Sequence, residues 1–455
     1  MSQLTLTELQ KAVKSGAAIR SRVVLQPAGG EGTKVFPPTY AGAVYATERR
    51  RLPGYENPVD CVLLDSVQSQ ANRMEEALQQ AIDSGRFQAA GVKLPLIEVD
   101  FTSFFPGSDK ADALRLIEPV GKVTSLQAPH RIVDAILRDS VVEEEIEEQG
   151  EKKKVNRPFR GQKNESTFGQ RLGKVNAQNA TALFELCPTA LLLGMWDSTG
   201  PKGGLGAKFE RAMVSEVVGI DAQPGVKTSS RIDPLAIQKG AGPLYKRAAT
   251  ADQCGPEWTL DEAGAERDKD QQPIKFERGG DSKSSKPGDP SKANHSNYPP
   301  SIDIVGGFTI RSAEQTVVLS FPALRRLRFP LANEKRDLVH NTEVDEAART
   351  VLAALGLCAA ALAAEAGLDL RSRCLLWPTA QLTWELLGKP GHKDEGITLE
   401  ADAAIKLLKD AIDAAKKLKL PWREEPLRLV PSDDLVKLVK KSQDLALKQG
   451  GEGGA

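Results

Sequence analysis

A glycine-dense loop that carries two lysines is the segment of this sequence best suited to chemistry. Glycines stand at positions 200, 203, 204 and 206, and Lys202 and Lys208 lie among and just after them. Glycine admits backbone angles closed to other residues and lets amide groups crowd toward an anion, while the lysines supply positive charge. We therefore expect this loop to bind a phosphate, with an ordinary flexible surface turn as the alternative.

The spacing of the glycines differs from that of two known phosphate-binding loops. A nucleoside-triphosphate loop needs two glycines separated by four residues and followed by Lys and Ser or Thr, whereas Gly206 is followed by Ala207 and Lys208. The Gly-x-Gly-x-x-Gly turn of dinucleotide-binding proteins is also absent from this loop. A phosphate-directed enzyme, either a nuclease or a small-molecule kinase, stays open as an alternative function, with Asp197 as the residue to test.

Composition excludes a uniformly basic nucleic-acid-binding protein. The 455 residues contain 61 Lys and Arg against 61 Asp and Glu, so the formal net charge is zero. Any basic surface must therefore be local. Residues 200–247 hold eight Lys or Arg against four Asp or Glu, and residues 321–336 hold five against one. These two segments are where a polyanion would bind.

Cysteine and histidine usage predicts a cytoplasmic protein without a metal or other cofactor. The five cysteines are widely and irregularly spaced, and none of the four histidines stands at metal-ligand spacing from a cysteine or carboxylate. The longest uncharged run, 350–364, has 15 residues, fewer than the roughly 20 that span a bilayer. We interpret it as a buried helix and expect no membrane contact.

A strand that passes directly into a helix is the second candidate site. Residues 59–64 are an apolar, β-rich run, and helix is predicted from Ser66 to about Ser84, with Ser66 as the N-cap. Its first two turns carry four polar side chains, namely Gln68, Ser69, Asn72 and Arg73. Free amides and the helix dipole favour an anion there, although a capped helix with a solvated face is the alternative.

Periodicity and turn signals predict the other elements. The remaining predicted helices are 5–17, 125–140, 168–186, 343–366, 400–418 and 432–448. The remaining predicted strands are 22–26, 94–101, 189–195, 302–310, 316–319, 371–377 and 381–387. Because strands and helices alternate without strict βαβ regularity, the pattern favours an α+β core with large insertions.

Three segments are predicted to lie outside this core or at its edge. Residues 210–220 and 225–232 indicate a basic hairpin across the turn 223–225, whereas the charged segment 143–157 is typical of a solvated connector. Residues 241–300 are rich in Gly, Pro, Ser, Asp and Lys, which predicts a flexible insertion. A disordered tail is expected at 450–455.

A third loop is predicted to contact nucleic-acid bases. It follows the first strand, and Lys34 and Phe36 near its end combine a cation with an aromatic ring on a backbone stiffened by prolines. Such a pair suits base stacking.

Three of these segments together resemble one protein family. They are the strand 22–26 with its Pro-Ala-Gly-Gly loop, the junction 66–73 and the block 194–208. In them the sequence resembles the backbone subunit of type I-G CRISPR effector complexes, formerly called type I-U, in the RAMP superfamily. The resemblance covers most of 20–240 and resumes around 302–319.

The resemblance implies a fold and a function. The fold would be an RRM-like, ferredoxin-like core sheet with helices, elaborated into a hand-like palm, fingers and thumb. Several copies would form a helical filament along one CRISPR RNA and, with other effector-complex subunits, present its spacer to target DNA in antiviral defence. The resemblance implies no enzyme activity, because type I complexes delegate cleavage to a separate helicase-nuclease.

The resemblance also implies roles for particular residues and segments. RNA phosphate or ribose would be contacted by Gln68, Ser69, Asn72 and Arg73, and the RNA backbone by Lys202, Gly203, Gly204 and Lys208. Trp196 would stack or pack, Lys34 and Phe36 would lie in a finger, and Lys227 and Arg231 would lie in a thumb hairpin at 210–232. The palm would comprise 1–240 and 301–449, separated by the insertion 241–300.

A filament-forming structural protein without nucleic acid is the remaining alternative. Binding through several RNA phosphates weakens steeply as salt rises, whereas an apolar filament does not. Salt dependence therefore separates the two functions.

Overall fold

The computed structural model describes residues 2–42, 44–148, 151–161, 163, 165–198, 206–249, 255–277, 286–303, 306–335, 337–388 and 396–452. They form two compact units. The first comprises Met1–Gln223 and Phe308–Leu438, and the second, which we call the inserted unit, comprises Pro224–Gly307 and Val439–Ala455. The insertion into the chain therefore begins at Pro224 rather than at the predicted residue 241.

The first unit is built on a curled antiparallel sheet, here called the central sheet. Its strands lie in the order Leu368–Asp369, Leu375–Pro378, Ala18–Pro27, Ser312–Ser320, Met213–Ile220, Val59–Asp65 and Thr47–Arg50. The strand Glu385–Leu387 also pairs with Ala18–Pro27. Successive side chains of a strand point to opposite faces. In Ser312–Ser320, Ala313, Gln315, Val317 and Leu319 are buried while the residues between them are half-buried.

Helices cover one face of the central sheet. The helix Val67–Asp83, here called the junction helix, packs against Met213–Ile220, and Thr342–Ala366, here called the core helix, packs against Ser312–Ser320 and the junction helix. The other helices of this layer are Leu6–Ser15, Pro188–Leu193, Phe321–Arg325 and Ala401–Lys417. The core helix is long and apolar enough to cross a membrane, but most of it is buried within the protein. The α+β prediction is confirmed.

Six of these elements, taken in chain order and without the elements that lie between them, form a simple pattern. Ala18–Pro27, the junction helix, Met213–Ile220, Ser312–Ser320, the core helix and Leu375–Pro378 run strand, helix, strand, strand, helix, strand along the chain. In the sheet their four strands lie in the order fourth, first, third, second. The first and second strands are thus parallel, with the third between them.

A second sheet corrects the prediction for the charged segment 143–157. Its strands lie in the order Glu151–Pro158, Ser140–Glu148, Leu427–Pro431, Ile97–Asp100 and Lys122–Thr124. The predicted solvated connector is therefore a β-hairpin. Val142 is buried, and on the exposed side the Lys154 ammonium lies 2.7 Å from Glu143 on the opposite strand. Pairs of opposite charge across two strands stabilise a sheet, so a high content of charge does not exclude one.

Other local predictions were wrong in type or extent. The predicted strand 189–195 is the buried helix Pro188–Leu193 followed by the short strand Met195–Trp196. Short apolar runs do not distinguish a buried strand from a buried helix, and a proline at the first position favours the helix. The predicted helix 168–186 is two helices, Thr167–Leu172 and Thr181–Leu186, and only Arg131–Val133 and Ala135–Arg138 of 125–140 are helical.

The inserted unit contains small two-stranded sheets. Lys227–Arg231 pairs with Tyr298–Asp303, and Tyr245–Lys246 pairs with Trp258–Thr259. The predicted pairing of a hairpin across 210–232 is therefore wrong, because Met213–Ile220 belongs to the central sheet. The described part of 241–300 buries Leu244, Tyr245, Ala265 and Phe276, so it is folded. Where the unit begins and ends, Gly225 exchanges two backbone hydrogen bonds of 2.7 and 2.8 Å with Gly306 and Gly307.

The remaining elements are short or terminal. The helix Asp433–Glu452 runs into the predicted tail, of which residues 453–455 lie outside the described residues. The other α and 3-10 helices are Arg86–Ala89, Thr102–Phe104, Asp112–Leu114, Lys239–Ala241, Glu262–Gly264 and Pro290–Ala293. The other strands are Ser2–Gln3, Thr39–Tyr40, Val44–Tyr45, Lys208–Phe209, Gln223–Pro224, Phe308–Thr309, Leu331–Ala332, Leu338–Val339 and Ile397–Thr398.

A buried carboxylate joins the sheet to the junction helix. Asp65 ends the strand Val59–Asp65, and its side chain accepts hydrogen bonds from Gln70 at 2.7 Å, Arg73 at 3.0 Å and Arg371 at 3.3 Å. The amide oxygen of Gln70 in turn accepts from Ser215 at 2.8 Å on the neighbouring strand. Buried charges are tolerated when they are paired and hydrogen-bonded in this way.

Replacing Asp65 should destabilise the first unit. Asp65→Ala removes the carboxylate that Arg73, Arg371 and Gln70 share and leaves the two arginines only carbonyl acceptors, so the free energy of unfolding should fall by about 3 kcal/mol. Denaturant unfolding monitored by circular dichroism measures this. The control is Asp60→Ala on the same strand, whose side chain is 62% exposed and which should cost less than about 0.5 kcal/mol. Equal losses in the two variants would contradict the assigned role of Asp65.

Candidate nucleic-acid interface

A cleft of about 1130 Å³ in the first unit brings together three separated parts of the chain. The junction helix contributes Val67, Gln68 and Asn72; the segment 129–138 contributes Pro129, His130, Arg131, Val133, Ala135 and Arg138; and the segment 194–214 contributes Gly194, Met195, Trp196, Ser198, Lys208, Phe209, Glu210, Arg211 and Val214. The junction and the base of the glycine loop, which were predicted independently, therefore line one cleft.

The glycine loop closes a β-hairpin whose stem forms one wall of the cleft. Met195–Trp196 pairs with Lys208–Phe209, and the amide of Asp197 donates to the carbonyl of Ala207 at 3.0 Å. Trp196 is 56% exposed, and the Lys208 ammonium lies 5.5 Å from the centre of its ring. The stem thus presents an aromatic face and a cation side by side. Lys202, Gly203 and Gly204 lie outside the described residues.

Close backbone approaches require glycine at both ends of this hairpin. A Cβ atom on Gly206 would lie 1.9 Å from the carbonyl oxygen of Asp197, closer than any real contact. Gly194 has a φ of +83°, which L-residues rarely adopt, and a Cβ there would lie 2.9 Å from the side chain of Arg211. The sequence predicts that Gly206 helps to bind an anion. The structure instead requires glycine at 194 and 206 because of close contacts within the protein.

Buried ion pairs fix the hairpin and the opposite wall. Asp197 lies 2.7 Å from Arg160, and both side chains are less than 10% exposed. Glu75 of the junction helix accepts two hydrogen bonds of 2.7 Å from Arg131, which also donates to the carbonyl of Gly194 at 3.1 Å. Arg131 therefore ties the junction helix to the start of the hairpin.

Two of the four predicted residues at the junction face the cleft. Gln68 and Asn72 are exposed there, and among the described residues their side-chain amides have no hydrogen-bond partner. Ser66 caps the helix as predicted, accepting from the amide of Ser69 at 3.2 Å. Arg73 instead reaches Asp65 at 3.0 Å and the carbonyl of Leu370 at 2.6 Å, so its contacts are within the protein.

Basic side chains outnumber acidic ones among the described residues that line the cleft, and two of the basic ones are paired, Arg131 with Glu75 and Arg138 with Asp139. Four Lys or Arg line it against one acid, Glu210, whose carboxylate lies 3.1 Å from Arg326. Within the described ranges, no cluster of three or more His, Cys, Asp and Glu could hold a metal ion. The arrangement offers amide donors, cations and an aromatic face, which suit phosphate, ribose and a stacked base.

Residues 19–224 match the family model described as CRISPR-associated protein GSU0053 (Cas_GSU0053). Every residue that lines the cleft lies within this segment. The match indicates a role in CRISPR defence. No curated protein matches the chain.

The remaining predicted site residues lie elsewhere. Lys34 and Phe36 are half-buried, and the guanidinium of Arg373 lies 4.1 Å from the centre of the Phe36 ring. Lys227 and Arg231 lie on a strand of the inserted unit. None of these four lines the cleft.

Sequence reasoning missed four cationic or titratable side chains in the cleft, one of which is Arg131. His130 and Arg138 lie in the segment 129–138, which the sequence indicated only as a helix. Arg211 follows the hairpin stem and is exposed to the cleft, without an ion-pair partner in the part of the chain that the structure describes. Burial and the nearby charge of Arg131 lower its pKa. The count of basic residues over 200–247 included Arg211 but gave no reason to single it out.

Titration of Glu75 should be visible in the stability of the protein. Burial raises the pKa of Glu75 to about 7 despite Arg131, so the folded state holds a proton that the unfolded chain releases from about pH 4.5 upward. The contribution of this group to the free energy of unfolding therefore falls as pH rises between 4.5 and about 7, by at most about 1.4 kcal/mol per pH unit. Comparing Glu75→Gln with the parent over this range isolates that slope, and parallel pH profiles would contradict it.

The requirement for glycine at position 206 predicts a local effect. Gly206→Ala forces the chain away from Asp197, so the amide of Asp197 should lose its hydrogen bond and exchange faster with deuterated solvent. Hydrogen exchange measured by mass spectrometry reports on this peptide. Gly240→Ala is the control, because no atom lies within 4 Å of the position of its Cβ. Unchanged exchange around residue 197 in Gly206→Ala would rule out the close approach.

Proposed function

We propose that this protein is a repeating backbone subunit that binds CRISPR RNA without regard to sequence and presents the spacer for pairing with target DNA, as in type I-G effector complexes. The family match over 19–224 supports a role in CRISPR defence, and it spans the whole cleft. The further proposal of an RNA-binding backbone rests on the fold and on the cleft.

The order of the core elements supports an RRM-like palm. Strand, helix, strand, strand, helix, strand is the succession of a ferredoxin-like, split βαβ fold, to which RNA-recognition motifs belong. Two parallel strands with a third between them and two helices on one face agree with it. The strands Thr47–Arg50 and Val59–Asp65 extend that sheet at one edge. We assign a thumb or finger role to the inserted unit, with Lys227 and Arg231 as its candidate RNA contacts.

The single observation that carries the proposal is the composition of the cleft. Gln68 and Asn72 offer side-chain amides without partners in the described structure, Lys208 offers a cation and Trp196 an exposed ring. A subunit that must accept any spacer can hold phosphate and ribose, because these groups are the same at every nucleotide. Among the described residues that line the cleft, the one acidic side chain that could accept from base amino groups is Glu210, which pairs with Arg326.

The environment of Asp197 supports a function in binding rather than in catalysis. Its carboxylate pairs with the buried Arg160, so it holds the hairpin in place instead of facing the cleft as a free base. We propose that cleavage of the target is carried out by another subunit and that copies of this chain repeat head to tail along the RNA.

The direct test is co-expression with a CRISPR array and the other effector subunits. The purified particle should contain RNA of uniform repeat-plus-spacer length and several copies of this chain. Absorbance, extraction of the nucleic acid and size analysis measure both properties. A particle that contains this chain but no RNA would overturn the proposal.

Single substitutions should weaken RNA binding equally for different sequences. Lys208→Ala removes one phosphate contact, so affinity should fall severalfold and the slope of log K against log salt should become shallower by about 0.7. Asn72→Ala should lower affinity with little change in that slope, because it removes no charge. Filter binding with two unrelated RNAs measures both effects. Lys406→Ala on the exposed side of the helix Ala401–Lys417 is the control, and a loss confined to one RNA would point to base reading.

A further inference from the structure

Two arginines converge on Gly194 at the floor of the cleft. Arg131 donates to the carbonyl oxygen of Gly194 at 3.1 Å. The side chain of Arg211 passes over the other side of this residue, where a Cβ atom would lie only 2.9 Å from its Cγ. Both guanidinium groups belong to side chains that line the cleft. The absence of a side chain at Gly194 leaves room for the side chain of Arg211.

The charges of these arginines are balanced unequally. Arg131 is paired through two hydrogen bonds with Glu75, whereas Arg211 has no acidic partner in the described part of the chain. Burial and Arg131 both lower the pKa of Arg211, which means that its positive charge is destabilised by its surroundings. A bound anion would relieve this cost, and a guanidinium binds phosphate oxygens through paired N–H donors.

The start of the junction helix adds donors to the same place. Val67 and Gln68 are its first two residues, and both line the cleft. The Ser66 hydroxyl accepts only from the amide of Ser69, and the structure gives the amides of Val67 and Gln68 no partner in the described residues. Unbonded amides at the beginning of a 17-residue helix carry partial positive charge and favour an anion.

From these three features we infer that Arg211, together with Arg131 and the first amides of the junction helix, forms a subsite for one phosphodiester group. This inference rests on the proposed function and deepens it, since it identifies the place where the cleft fixes the register of a polynucleotide backbone. Gln68 and Asn72 lie at its rim, where they reach the adjoining ribose, and Trp196 faces the adjoining base. Arg131 is a positioning residue here, because Glu75 already occupies its guanidinium.

The subsite can be tested with inorganic phosphate and then with RNA. Phosphate should raise the melting temperature of the nuclease-treated full-length protein, and Arg211→Gln should abolish this shift while its melting temperature without phosphate stays near that of the parent. Arg211→Lys keeps the charge but loses the planar pair of donors, so it should retain part of the shift. Arg49→Gln, whose side chain is 63% exposed, is the control for a general loss of charge.

The second arm measures affinity for single-stranded RNA. Arg211→Gln should bind at least tenfold more weakly, and its salt slope should become shallower by about 0.7. A phosphate shift that persists in Arg211→Gln, or the absence of a shift in the parent, would overturn the subsite even if RNA binding is intact. A shift that depends on Arg211 in a protein that does not bind RNA would instead keep the anion site and overturn the proposed function.

Discussion

The ion pair between Glu75 and Arg131 is the interaction on which the cleft depends. It links the junction helix to the segment 129–138 and, through the hydrogen bond from Arg131 to Gly194, to the hairpin of the glycine loop. Both side chains are almost fully buried, so their attraction is weakly screened but their desolvation is costly. Such a pair contributes little net stability compared with an apolar contact of the same volume. Its value lies in geometry, because two paired hydrogen bonds and a carbonyl contact hold three chain segments in one arrangement.

The outer face of the central sheet differs from the cleft in the side chains that it exposes. In RNA-recognition motifs, aromatic side chains on the two middle strands stack on bases. Here the outward residues of these strands include Arg22 and Glu314, which form an ion pair at 2.7 Å, together with Val24 and Thr316. The neighbouring strand Leu375–Pro378 adds Trp377, which is 63% exposed and lies opposite Gln26. On the helix side of the sheet, Trp196 provides the exposed ring of the cleft.

Local signals predicted those parts of the fold that depend on neighbouring residues. Ser66 as a cap, the passage from strand to helix after Asp65 and the core helix follow from propensity and periodicity, and the structure has all three. The charged hairpin at 140–158 was missed because its strands depend on pairing with each other and with Leu427–Pro431, far away in the chain.

In the candidate site, too, local signals predicted some of the residues, whereas contacts between distant parts of the chain determine the others. Gln68 and Asn72 face solvent because of their positions on the helix, which a sequence can indicate. Arg73 lies on the same turns but binds the carbonyl of Leu370, and no local pattern contains that partner. Arg211 could not be singled out either, since its significance comes from Arg131, 80 positions earlier in the chain, and from the bare backbone of Gly194 between them.

The two hydrogen bonds that Gly225 makes with Gly306 and Gly307 have a consequence for how this chain can vary. These bonds place the two ends of the segment 225–307 next to each other. The segment therefore begins after the central strand Met213–Ile220 and ends before the central strand Ser312–Ser320. Closing a loop at such a point costs entropy that grows only slowly with its length. The segment between these glycines can therefore lengthen or shorten at little cost in free energy while the strands of the central sheet keep their pairing.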